Sequence, residues 1–120
     1  MSEETLYTKS GKPVAYLASD NETIYLWSGR AVAYMDQGTV YGWNGKHLGW
    51  WSDGVIYDLQ GRRVGFTRQR CPNVCHVPSV KSVKRVKNVK SIRSIPNVRS
   101  AFSSSSSTQE LEDFLKRGSA

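Results

Sequence analysis

The first 67 residues write one short motif four times, and a period this short leaves room for a single supersecondary unit per repeat. Tyr7, Tyr25, Tyr41 and Tyr57 align, and Gly11, Gly29, Gly45 and Gly61 align behind them. Both series step by 18, 16 and 16 residues. A basic residue follows each glycine: Lys12, Arg30, Lys46 and Arg62. Two positions further lies an aliphatic residue (Val14, Val32, Leu48, Val64), then a small one (Ala15, Ala33, Gly49, Gly65), then an aromatic (Tyr16, Tyr34, Trp50, Phe66).

Within the second repeat, Ile24-Tyr25-Leu26-Trp27 and Arg30-Ala31-Val32-Ala33-Tyr34 are strand-like runs separated by Ser28-Gly29. Two such runs around a glycine turn predict a hairpin, with Ser10-Gly11, Asn44-Gly45 and Gln60-Gly61 as the equivalent turns. Gln37-Gly38 and Asp53-Gly54 read as tight turns between repeats, and Asp20-Asn21 as a slightly longer one. No joint has room for a crossover helix, so neighbouring strands are expected to be antiparallel. The predicted fold is all-β: a shallow pseudo-four-fold barrel of four antiparallel hairpins, eight short strands, closed because closure removes exposed edges. A two-residue turn would pair Tyr25 with Val32 and Ile24 with Ala33. One face would then hold Tyr25, Trp27, Val32 and Tyr34, and the other Ile24 and the small Ala33 position. Both faces are apolar, so alternation does not say which is inside. The invariably small position points to close approach there.

Charge divides the chain. Residues 1–67 hold six basic and seven acidic residues, whereas residues 68–107 hold nine basic residues and no acidic one. From Val74 an aliphatic residue recurs at every third position to Val98, followed by a mostly cationic row that includes Lys81, Lys84, Lys87, Lys90 and Arg93, with Arg85 in the third row. A step of three suits neither an α-helix nor a strand but matches polyproline II. Three readings are open for this tail: a solvated linker, a segment whose valine edge docks on the barrel, or an extended cation for a membrane or nucleic acid. After the serine run, Ser107 and Glu110 make a capping-box pattern, and Leu111, Phe114 and Leu115 share one helical face. The expected segments are a barrel over 5–67, a basic low-complexity tail over 68–107 and a short amphipathic helix over 108–117. Such a helix is marginal alone and needs something to dock on.

Little of the sequence reads as catalytic. Cys71, Cys75 and His76 are one ligand short of a structural zinc site, and His47 lies far away in sequence. Asp36, Asp53 and Asp58 fall in or beside turns, where aspartate serves the backbone. No enzyme, metal or cofactor is expected. The strongest site candidate is the ring Lys12, Arg30, Lys46 and Arg62, with Trp27, Trp43 and Trp50 as neighbours. Four like charges on one rim suit an anionic ligand or head groups. Lys81, Lys84, Arg85, Lys87, Lys90 and Arg93 form a second candidate set for an anionic partner. The start, Met1-Ser2-Glu3-Glu4, resembles no secretory signal, and the chain reads as cytoplasmic.

The units "IYLWSGRAVAY", "VYGWNGKHLGW" and "VIYDLQGRRVGF" resemble the four-fold β-flower domain family, and "VKSVKRVKNVKSIRS" resembles the lysine/valine-rich tail that sometimes follows it. The resemblance covers residues 5–67 well and the tail loosely. It implies four hairpin petals of a shallow barrel, and no activity to carry over. The family barrel is similar in outline to the Tubby C-terminal domain, a phosphoinositide binder, an analogy of fold only. The first repeat departs from the pattern, with Lys9 at the tryptophan position and Pro13 in the second strand. The expected function is a non-enzymatic binding module for anionic ligands or lipid head groups at a membrane surface. The alternative is a protein-interaction or structural scaffold with a tethering tail, and a third reading is non-specific nucleic-acid binding by that tail.

Overall fold

The computed structural model describes residues 3–77, 81, 84, 90, 93, 102, 103 and 105–119. Eight strands follow in order: β1 (Glu4–Tyr7), β2 (Pro13–Leu17), β3 (Thr23–Leu26), β4 (Ala31–Asp36), β5 (Thr39–Gly42), β6 (His47–Ser52), β7 (Val55–Tyr57) and β8 (Arg63–Phe66). Each pairs antiparallel with the next, and Tyr7 on β1 pairs with Phe66 on β8 to close the barrel. One helix, α1 (Leu111–Lys116), completes the described elements.

The hairpin turns are one residue longer than the sequence suggests. In the second petal Gly29 N–H donates to Leu26 O, and Leu26 N–H donates to Arg30 O. That is a three-residue loop ending in a left-handed glycine, Gly29 at φ 93°. The same bond pair recurs at Thr8–Lys12, Gly42–Lys46 and Asp58–Arg62. Polar side chains brace two of these loops: Thr8 Oγ1 accepts from Lys12 N–H, and Asp58 Oδ1 accepts from Gln60 and Arg62 N–H. Gln37-Gly38 and Asp53-Gly54 are the expected tight turns, with positive φ at both residues of each pair.

The longer loop shifts the pairing. Ile24 faces Ala33 as expected, but Tyr25 pairs with Ala31, and Val32 is the extra residue of a β-bulge. Equivalent bulges fall beside Val14, Leu48 and Val64. The expected pairing of Tyr25 with Val32 is therefore wrong. The bulge turns the aliphatic residue inward, so Val14, Val32, Leu48 and Val64 join Leu6, Ile24, Val40 and Ile56 in one core. The tyrosines stay on the outer face.

The interior is closed by α1. Leu111, Phe114 and Leu115 are fully or almost fully buried and belong to the same core. The small repeat position makes the room. A Cβ on Gly65 would press on the Leu111 side chain, and one on Gly49 would meet Phe114 at 3.2 Å and collide with the Tyr57 carbonyl. Close approach at that position is thus an approach of the helix as well as of strands. The helix starts three residues later than the expected 108. Glu110 is its N-cap with no side-chain cap bond, and the Ser107 hydroxyl accepts from Gln109 N–H instead, so the expected capping box does not form. Its C-terminus docks on the third petal, where Asn44 Nδ2 donates to Arg117 O and Asn44 N–H to Gly118 O. Those bonds satisfy carbonyls that a helix end leaves open. Among the described residues no helix is long and apolar enough to cross a membrane.

Candidate functional site

Four hairpin loops at one end of a closed up-and-down barrel place their glycine-following residues around one mouth. Lys12, Arg30, Lys46 and Arg62 are all exposed there. The helix enters through this mouth and adds exposed Lys116 and Arg117. Two grooves flank it. One of about 400 Å³ is lined by Lys12, Val14, Trp27, Ser28, Glu112 and Lys116. One of about 130 Å³ is lined by His47, Leu59, Gln60, Gln109, Phe114 and Arg117. Glu112 pairs with Lys116 at 3.1 Å along the helix. Burial pushes the His47 imidazole below its ordinary range, only partly opposed by its Nε2 bond to Gly49 O.

The outer wall carries aromatic pairs at the joints between petals. Tyr16 stacks on Tyr25 with ring centres 5.4 Å apart, and Trp27 sets its edge against Tyr16. One joint further, Tyr34 stacks on Tyr41 at 5.7 Å, with Trp43 edge-on. At the third joint Trp50 and Tyr57 are paired strand neighbours. The fourth joint pairs Tyr7 with Phe66.

The tail's described residues lie on these pairs. Lys81 Nζ sits 4.3 Å from the Tyr16 ring centre, and Lys84 Nζ 5.3 Å from Tyr25. Lys90 Nζ is 4.1 Å from Tyr34 and 5.0 Å from Trp43, and Arg93 Cζ is 4.9 Å from Tyr41. Phe102 stacks on Tyr57 at 4.0 Å. Barrel carboxylates hold the same cations. Glu3 takes Lys81 and Lys84, the latter at 2.8 Å; Glu22 takes Lys90 at 3.4 Å; Asp36 takes Arg93. Hydrogen bonds from Lys81 and Lys84 hold the Glu3 carboxyl below its ordinary range, and the Glu3 bond raises Lys84. At the tail's start Arg70 pairs with Asp53 at 2.7 Å. Four of the seven acids in the first 67 residues thus face tail cations, which is where the charge asymmetry goes.

A register joins the two periods. Lys84, Arg93 and Phe102 are nine residues apart and meet Tyr25, Tyr41 and Tyr57, which are sixteen apart. Lys81 and Lys90 repeat the step on Tyr16 and Tyr34. Three tail triplets therefore match one petal. The molecule measures 36 × 35 × 25 Å. A quarter turn around so wide a body needs about 28 Å of chain, the reach of nine residues at about 3.1 Å each. The period of three was visible in the sequence, but its match to the petals needs the barrel's girth.

The site residues expected from sequence therefore separate. Lys12, Arg30, Lys46 and Arg62 share the mouth. Trp27 links mouth and outer wall, Trp43 is buried against Tyr34, and Trp50 is buried beside His47. Lys81, Lys84, Lys90 and Arg93 lie on the barrel's own aromatics, whereas Arg85 and Lys87 fall outside the described residues. The valine-edge docking cannot be traced, since most of those valines also fall outside; Val74 and Val77 are exposed. At its described positions the tail meets the barrel through cations rather than as a free linker. Sequence reasoning missed Glu3, Glu22 and Phe102 as tail partners, and only the unbalanced acids of the barrel hinted at them.

Cys71 and Cys75 are free thiols on the first petal's loop. Cys71 Sγ donates to Thr8 O, Asn73 Nδ2 to Lys9 O and His76 N–H to Gly11 O. This segment covers the petal that departs from the repeat, where Lys9 stands in place of a tryptophan. Among the described residues no three His, Cys, Asp or Glu side chains converge as metal ligands.

No curated protein and no solved structure matches the chain. A family model described as 4-fold beta flower protein matches residues 4–115, which spans barrel, tail and most of the helix rather than the hairpins alone. With four hairpin petals closed around a helix that the same match includes, the chain belongs to the 4-fold beta flower family.

Proposed function

We propose that the chain is a non-enzymatic module that binds an anionic surface through the plugged mouth of its barrel. One observation carries the reading: Lys12, Arg30, Lys46 and Arg62 stand exposed at equivalent loop ends around a mouth to which Lys116 and Arg117 are added. Spread cations of one sign favour an extended anion over a small one. The interior supports this choice, because Leu111, Phe114 and Leu115 occupy the space a deeply bound ligand would need. A layer of anionic lipid head groups is the partner of matching shape, with each basic residue near it contributing about 1 kcal/mol. The same filled interior favours the second reading, a structural scaffold.

Co-sedimentation separates the two. The full chain is expected to pellet with phosphatidylglycerol vesicles and not with phosphatidylcholine vesicles. Binding should weaken with salt, as exposed charges are screened. The Lys12→Ala/Arg30→Ala/Lys46→Ala/Arg62→Ala variant should lose most of it. Equal recovery on both vesicle types, or an unaffected variant, would leave the scaffold reading.

A further inference from the structure

The tail is fastened unequally along its length. Its end is anchored by three buried apolar side chains inside the barrel, and its start by hydrogen bonds from residues 71, 73 and 76 to the first petal. Between them, Lys84, Lys90 and Arg93 keep 42%, 39% and 44% of their side-chain surface exposed, and their partners Glu22 and Asp36 about half. Exposed pairs of this kind hold weakly and are screened by salt. The cations are the same species that an anionic lipid layer attracts.

What they cover is suited to a lipid interface. Tyr16, Tyr25, Tyr34, Tyr41 and Trp43 are buried under the tail's side of the wall. The Trp27 indole N–H is buried and finds no acceptor among the described residues. Indole and phenol rings favour the boundary between an apolar layer and water, where such a donor finds a partner. Trp27 also lines the mouth groove beside Lys12 and Lys116, so this wall is continuous with the mouth.

We infer that residues 81–93 are a strap over a second membrane-contact surface, and that an anionic lipid layer lifts the strap from Tyr16, Tyr25, Tyr34 and Tyr41 while both its ends stay fastened. The lipid phosphates replace Glu3, Glu22 and Asp36 as partners of the strap cations, and the bared aromatics extend the contact begun at the mouth. The inference rests on the proposed binding of anionic surfaces, and its test has a separate readout.

Zero-length carbodiimide coupling reports the strap directly, because it joins lysines to carboxylates only where they touch. In the free full chain, mass spectrometry should find Glu3 joined to Lys81 or Lys84 and Glu22 joined to Lys90. Glu112 joined to Lys116 serves as the internal standard within the helix. On phosphatidylglycerol vesicles the strap cross-links should be lost and the helix cross-link kept; on phosphatidylcholine vesicles all should remain. Co-sedimentation with the strap cross-links intact overturns the strap and leaves the mouth reading standing. Parallel loss of the helix cross-link overturns it too, since that is general unfastening. Failure to co-sediment overturns both. Loss of the strap cross-links in the mouth variant supports a strap that answers the surface independently of the four loop cations.

Discussion

The two halves of the tail attach to the same barrel by opposite physics. Residues 111–115 enter the core with three side chains that lose nearly all contact with water. Residues 81–93 lie on the outer wall with cations that stay partly in water, over rings and beside exposed carboxylates. Fully burying a large apolar side chain contributes about 1.5–3 kcal/mol, whereas an exposed lysine over a ring contributes about 0.5–1 kcal/mol. The helix is thus part of the fold, and the strap is an addition that the fold can lose. Sequence distance from the barrel says nothing about which is which: the more distant segment is the one that completes the core.

The largest expected effect tests the helix side of this contrast. Deleting residues 108–120 should unfold the barrel rather than leave it intact, since three buried side chains amount to roughly 5–9 kcal/mol of a total usually near 5–15 kcal/mol. Phe114→Ala alone should cost about 3–5 kcal/mol in urea unfolding. A barrel that keeps its cooperative transition after the deletion would erase the contrast. Next in size, Gly65→Val should cost about 1–3 kcal/mol, because its side chain would claim the space of Leu111. The same exchange at exposed Gln60 should have little effect.

A smaller effect comes from His47. Its folded imidazole binds a proton less readily than the unfolded one, so below about pH 6.5 the unfolded chain takes up more protons. Stability should fall as pH drops through that window, and His47→Gln should flatten the slope, read from urea midpoints across the range. The smallest effect belongs to the strap. Lys81→Ala with Lys84→Ala should shift unfolding by no more than about 1–2 kcal/mol, and by less in high salt. A loss as large as that of Phe114→Ala would place the strap in the core's energetics after all.

How far the sequence revealed this follows the range of each interaction. The hairpins, the joints and their turn glycines are local, so Tyr-to-Gly spacing sufficed to read them. The bulges at Val14, Val32, Leu48 and Val64 were not legible, because two- and three-residue loops can end in the same glycine. That single residue decides which face the aliphatic position takes. The small position at Ala15, Ala33, Gly49 and Gly65 announced a close neighbour, but its identity as Leu111 and Phe114 lies some fifty or more residues away with no shared pattern. The mouth cations were legible as a ring because the repeat placed them equivalently. The strap's nine-residue register was not, because it is a property of the barrel's outer girth.

Trypsin tests the difference between plug and strap most directly. Brief digestion in high salt should cut the full chain within residues 81–93, and the barrel piece and the helix piece should then co-elute in gel filtration with a single cooperative unfolding transition. If the helix piece separates on cutting, or the barrel unfolds, the strap is what holds the helix in place and the contrast between them fails.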